Sequence, residues 1–350
     1  MYHGVVPDVL PIAPRPLQGE LRSSWLLRVA SANALTLREL MDAVAARHPG
    51  AGTDDAFLDD GLPARVAGAL AQFARLPESV VHGLDLTDQL PGCPGDWVRP
   101  APALEVGGHD QVSDQRAAYT FCPSCLDSVA PLAAPPHLPV EWACAVVTHC
   151  PIHRTRLLEW CPGCHAHDPF VIGIGEQFGR AECWQCEASL GFAAWPSDAL
   201  ALDPVLQLQT AVISALRDQP AALASIESAN VRISVSLVAE LLDLLVDEDD
   251  DDSVPVYARV AAVHWPAELC GIGRRIPESR FAYLPVHVRF LAMACAASVI
   301  NDTAALLAGP RRTLVASLAD HEWRQWEQHM EHWPTRMKDT VSAARTRVNR

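Results

Sequence analysis

The sequence predicts a mainly α-helical protein with an N-terminal helix-turn-helix unit, a central double zinc-ribbon-like module and a C-terminal helical domain. Three observations carry this. Apolar residues recur at helical spacing on either side of residues 121–198. Inside that stretch, seven cysteines and one histidine form four pairs, each with two residues between its members. The 350-residue composition, 49% apolar and 20% charged, is that of a globular chain large enough for roughly two or three domains.

Residues 1–19 are proline-rich and read as extended chain. A helix is expected from Glu20, with Leu21, Trp25, Leu26 and Val29 on one face. Thr36 and Glu39 form a capping box that opens a second helix, ended by Pro49 and Gly50. After a small, acidic loop at 50–61, Leu62, Val66, Leu70 and Phe73 predict a third helix to about Ala74. Pro77 suits the first turn of a short fourth helix, with Val80, Val81 and Leu84 inward. These last two helices make the helix-turn-helix arrangement. Its second helix offers Glu78, Ser79, His82 and Asp85, none of which is the Arg, Lys, Asn or Gln that normally reads base edges. A packing or protein-docking role is therefore expected ahead of DNA reading.

The domain boundaries follow from composition. Residues 1–92 are the N-terminal helical domain, 93–120 a Pro/Gly-rich linker and 121–198 the double zinc module. A helical segment at 199–246, an acidic linker at 247–255 and a C-terminal helical domain at 256–350 complete the chain. Asp203 and Pro204 start a helix with Val205, Leu208 and Val212 inward, and Leu237, Leu241, Leu244 and Leu245 form a second stripe. The acidic run at 247–252 repels itself and reads as a solvated hinge, since a Ca²⁺ loop needs spaced ligands and a turn glycine. Trp195-Pro196, Trp265-Pro266 and Trp333-Pro334 read as junctions of weakly repeated helical units, and Trp323, Trp326 and Met330 as core residues.

Net charge is −15, which argues against a protein that grips DNA over most of its surface. The charge is uneven: residues 256–350 hold 13 Lys+Arg against 8 Asp+Glu, and Lys338 is the single lysine of the chain. The longest uncharged apolar run, 290–300, is too short to span a bilayer. The opening residues lack a basic n-region and are punctuated by Pro7, Pro11, Pro14 and Pro16, so a cytoplasmic location is expected. Eleven cysteines in that compartment are not read as a disulfide framework.

The four pairs are Cys122 and Cys125, Cys150 and His153, Cys161 and Cys164, and Cys183 and Cys186. A two-residue gap lets both side chains of a tight turn converge on one ion, and four S/N donors complete a tetrahedral Zn²⁺ shell. Pairing in chain order gives a Cys₃His site and a Cys₄ site, with 24 and 18 residues between the paired knuckles. A cross-brace, first pair with third and second with fourth, uses the same residues and stays open. Cys144 and His149 are nearby alternative ligands that break the two-residue gap. Two structural Zn²⁺ ions are expected, because a hydrolytic zinc keeps a position open for water. There is no His-x-Glu ahead of Cys161, no Walker A loop, no dinucleotide fingerprint and no nucleophile elbow, so an enzyme is not expected. Cys93, Cys270 and Cys295 read as small apolar residues. Residues 121–198 hold three basic residues against eight acidic ones, a balance that suits protein binding better than groove reading.

One further pattern links these parts. Pro14-Arg15-Pro16, Gly19-Glu20-Leu21, Ser24-Trp25-Leu26 and Arg28-Val29-Ala30 are followed by Phe121-Cys122-Pro123-x-Cys125, Trp142 and Cys150-x-x-His153. Leu157, Cys161-Pro162-x-Cys164 and Cys183-x-x-Cys186 complete the series. In order and spacing it resembles the TniQ family of transposition proteins, which includes the TnsD-type target selectors, over roughly residues 10–190. A Leu-Arg pair follows Glu20 where the family often has Ser. The resemblance implies a non-enzymatic adaptor in DNA transposition. Its expected partners are an AAA+ ATPase regulator of the TnsC/TniB type and a target-recognition complex, either of the Cascade type or a TnsD-like protein. In some relatives the device is a CRISPR effector complex on which a TniQ homodimer docks. DNA contacts, expected to be weak or indirect, would come from Arg274, Arg275, Arg280, Arg311, Arg312, Arg345, Arg347 and Arg350, which read equally as a solvated helical surface. The alternative function is a sequence-specific DNA-binding regulator using the helix-turn-helix and zinc modules directly.

Overall fold

The computed structural model describes residues 9–48, 59, 61–99, 120–127, 135–164, 170–172, 181–183, 185–192, 202–218, 223–226, 231–246 and 281–300. The described part is mainly helical with little strand. It forms two compact units: Met1–Cys93, Val98–Cys144 and Leu157–Trp195 make the first, and Pro94–Trp97, Ala145–Arg156 and Pro196–Arg350 the second.

The first unit is built on α1 (Arg22–Ala32), α2 (Leu37–Arg47), α3 (Ala64–Ala74), α4 (Glu78–His82) and α5 (Leu86–Gln89). Trp25, Leu26 and Val29 of α1 share one core with Leu40, Met41 and Val44 of α2 and with Val66, Leu70 and Phe73 of α3. The expected capping box is formed: Thr36 Oγ1 accepts from the Glu39 N–H, and the Glu39 carboxylate accepts from the Thr36 N–H at 2.8 Å. Helix α1 begins at Arg22 and not at Glu20, because the backbone just before it is committed elsewhere. Leu21 N–H donates to Leu138 O, and Gly19 O accepts from Val140 N–H.

Helix α3 stops at Arg75, which takes the left-handed conformation (φ 54°), and α4 follows at once. Val81 and Leu84 are buried as expected, but Val80 is exposed. Neighbouring helical positions diverge by about 100°, so a single turn cannot turn both Val80 and Val81 inward. Part of the stretch that composition assigns to a linker is also packed: within this unit Arg99 is buried and bonds Glu159 at 3.0 Å.

In the second unit, α7 (Leu202–Asp218), α8 (Val235–Val246) and α9 (Val286–Ile300) pack together. Val205, Leu208, Val212 and Leu216 of α7, and Leu241 and Leu245 of α8, are buried. The apolar run at 290–300 belongs to α9, which is buried on every side from 288 to 297, Arg289 included, its guanidinium donating to Leu284 O and Ala145 O. Trp97, at the end of a short 3₁₀ turn (Gly95–Trp97), is fully buried in this unit.

An all-helical region beyond residue 198 was the expectation, and a hairpin corrects it. Strands β3 (Leu223–Ile226) and β4 (Val231–Ser234) pair antiparallel with Ile226 opposite Val231. Both strands are four residues long and carry β-branched Ile226, Val231 and Ile233, too short a run for alternation to stand out. Among the described residues, no helix is long and apolar enough to cross a membrane. The acidic run, the three Trp-Pro pairs, Trp323, Trp326, Met330, Cys270 and all eight candidate DNA-contacting arginines lie outside the described residues.

Candidate metal centres

Each cysteine pair sits on its own tight turn. Cys122 caps α6 (Pro123–Leu126), whose first position is Pro123, and Cys122 O accepts from Cys125 N–H at 3.1 Å. Phe121 and Leu158 exchange both backbone hydrogen bonds at 2.8 Å, which anchors the start of this knuckle. Its far end is met by the 3₁₀ turn Leu190–Phe192. A Cβ on Gly191 would lie 2.8 Å from the Asp127 Cα, so only glycine fits that approach.

The turns at Cys150 and Cys183 are built alike. Cys150 O accepts from Arg154 N–H and Cys183 O from Glu187 N–H, both at 2.8 Å. Cys150 N–H then donates to Thr155 O and Cys183 N–H to Ala188 O, both at 2.9 Å. Arg154 (φ 54°) and Glu187 (φ 58°) each take the left-handed conformation that closes the turn. Cys183 ends β2 (Ala181–Cys183), which pairs antiparallel with β1 (Phe170–Ile172).

Two groups of four donors result, Cys122, Cys125, Cys150 and His153, and Cys161, Cys164, Cys183 and Cys186, each with its ligand atoms within 4.8 Å of one another. The grouping follows chain order and not a cross-brace. Cys161 and Cys186 Sγ lie 3.6 Å apart, as do Cys164 and Cys183 Sγ, far beyond a disulfide bond. Cys150 Sγ lies 3.6 Å from His153 Nδ1. Tetrahedral Zn²⁺ with Zn–S near 2.3 Å and Zn–N near 2.0–2.1 Å requires S···S edges of about 3.8 Å and S···N edges of about 3.6 Å. Both groups fit a metal ion. Cys161 Sγ also accepts from Gly163 N–H and Cys150 Sγ from His153 N–H, bonds that favour thiolate character.

Burial pushes the Cys183 thiol up to about 12, whereas the Ala188 N–H beside exposed Cys186 holds that thiol below its ordinary value. A divalent cation reverses the penalty at a buried sulfur by supplying the charge that desolvation removes. With four protein donors each, the groups suit structural ions, whose shells leave no place for a reacting water.

The alternative ligands lie elsewhere. Cys144 Sγ is 3.8 Å from Cys93 Sγ in the first unit. His149 is buried in the second unit, its ring 4.9 Å from that of Phe290 and its Nδ1 3.1 Å from Thr148 Oγ1. Cys295 is buried in α9, and burial pushes its thiol up to about 12.

Residues 11–157 match the TniQ family model. Over this stretch the chain is similar to the TniQ family. TniQ proteins are transposition-associated accessory proteins, generally non-catalytic. No curated protein matches the chain. The TniQ stretch contains the first donor group and ends before the second. Its N-terminal motif turns out to be one buried polar network. The fully buried Glu20 carboxylate accepts from Arg28 Nε at 2.8 Å and Nη2 at 2.6 Å, from Ser24 Oγ at 3.0 Å and from Leu17 N–H at 2.9 Å. Arg28 also donates to Arg15 O, and Trp25 Nε1 to Pro14 O at 2.8 Å, tying the extended arm to α1. Ser24 Oγ accepts from Leu138 N–H, 114 residues away.

Sequence reasoning read these groups only as a motif. Arg22, which is buried and bonds Asp85 at 2.8 Å, and Asp59, which accepts from Ser23 N–H at 2.7 Å, had no role in that reading. The available signal was Arg22 and Arg28, which fall beside Trp25 and Val29 on the apolar side of α1, but nothing in the chain named their partners.

Proposed function

We propose that this protein is a non-enzymatic adaptor in DNA transposition, linking a target-recognition complex to an AAA+ ATPase regulator in the cytoplasm. The TniQ match over residues 11–157 carries the reading. Two Zn²⁺ ions hold the Cys₃His and Cys₄ groups closed, a role the edge lengths above support. The acidic balance of the chain favours protein surfaces over phosphate as the main contact. Its targeting partner is a Cascade-type complex or a TnsD-like protein, on which the chain docks as a homodimer.

A gel-shift titration of duplex DNA at two salt concentrations, with and without the ATPase, tests this reading. Weak, sequence-independent binding that strengthens when the ATPase is added is expected. Tight, sequence-specific binding by the protein alone, with a steep salt slope, would identify a DNA-binding regulator and overturn the adaptor.

A further inference from the structure

We infer that Gln209 is a positioning residue for the Cys150–His153 half of the first metal group. It lies on α7, beyond the TniQ stretch, and its side chain is buried. Its Oε1 accepts from two consecutive backbone N–H groups, Thr148 at 3.0 Å and His149 at 3.2 Å. Its Nε2 donates to His149 O at 2.9 Å. One amide thus satisfies three backbone groups immediately before Cys150, fixing the segment that enters the knuckle.

The knuckle is held from α7 a second time, because Arg154, which closes its turn, bonds Asp203. That contact is exposed and worth little. The Gln209 contact is enclosed, and buried backbone groups that lose their partner must either stay unpaired or move. Moving them displaces Cys150. A ligand's backbone fixed in advance binds metal more tightly, as groups that orient metal ligands commonly raise affinity by about 10–100-fold. Of the side chains of similar size, only an amide meets all three partners: Glu cannot donate to His149 O, and Leu can neither donate nor accept.

This inference rests on the metal reading above, and the experiment separates the two. Full-length protein loaded with zinc is titrated with a chromophoric chelator, comparing wild type, Gln209→Ala and Leu208→Ala. Leu208 is buried on the same helix and touches neither the donors nor their backbone in any hydrogen bond, so it reports general destabilisation. In Gln209→Ala, one ion is expected to leave at a chelator concentration at least about 10-fold lower, while the other leaves as in wild type. Hydrogen exchange across 145–156 should speed up in the same variant. Leu208→Ala should lower the melting temperature and leave both zinc affinities within about 3-fold of wild type. Equal loss of zinc affinity in the two variants, or none in Gln209→Ala, overturns the inference. A wild-type chain that holds no zinc overturns the metal reading, and the inference with it.

Discussion

The two donor groups share chemistry and differ in what supports them. The Cys161 group is assembled from residues 161–186 of one unit, with its second knuckle closing the hairpin of β1 and β2. In the first group, each knuckle is set by residues distant in sequence: Cys122 by the Phe121–Leu158 bridge, and Cys150 by Gln209. The turns at Cys150 and Cys183 are nonetheless equivalent bond for bond. The same local turn therefore serves a group drawn from one short stretch of chain and a group drawn from distant stretches.

Removing metal should break the symmetry most clearly. Structural zinc is worth about 10–16 kcal/mol in small zinc domains. Under a strong chelator at neutral pH, amide protection at 181–192 is expected to collapse, whereas 145–156 keeps part of its protection through Gln209. Equal collapse at both segments, followed by hydrogen exchange, would mean that the two groups do not differ in their support.

Cys161→Ser narrows the test to one group. The variant should retain one zinc and lose the second, with new protease cleavage confined to residues around 161–192. Retention of both ions, measured by elemental analysis, would mean that Cys161 is not a ligand.

A buried charge outside the metal groups should cost stability without costing metal. Glu20→Ala leaves the Arg28 guanidinium buried and uncompensated, at about 3–5 kcal/mol. Denaturant unfolding measures the loss, and zinc content is expected to stay at two. Replacing Trp25 by Ala, a fully buried ring, falls in the same range of about 3–5 kcal/mol.

The smallest effect is a pH dependence. Burial by itself would raise the Asp85 carboxyl, but bonds from the Arg22 guanidinium, Thr87 and Gly61 N–H outweigh it and hold it below its ordinary value of 3.8. A carboxyl lowered on folding binds its proton more readily in the unfolded chain, so its stabilisation is present above pH 3.8 and fades as pH falls through the lower folded value. The stability gap between wild type and Asp85→Asn should therefore shrink only in that acidic window. A gap that closes near neutrality would point to another group.

How much of this was readable in advance follows from where the information lies. Ligand spacing is local, so the eight donors stood out in the chain, and chain-order grouping needed only the geometry to decide it. The capping box at Thr36 was legible for the same reason. Glu20, Arg22 and Arg28 were not legible as a network, because charged residues read as surface until their partners are known, and Leu138 lies 114 residues from Ser24. Gln209 sat in plain view, four residues after Val205 and three before Val212 on the buried stripe of α7. A polar side chain in that position implies a backbone partner without naming it. The hairpin of β3 and β4 was missed because each strand is only four residues long.

The most direct test of two closed, four-donor metal groups is native mass spectrometry of the intact protein, paired with absorption spectra of its cobalt-substituted form. Two metal ions per chain with the intense bands of tetrahedral, thiolate-bound cobalt are the result predicted. Fewer than two ions, or spectra of five- or six-coordinate cobalt carrying water, would contradict it.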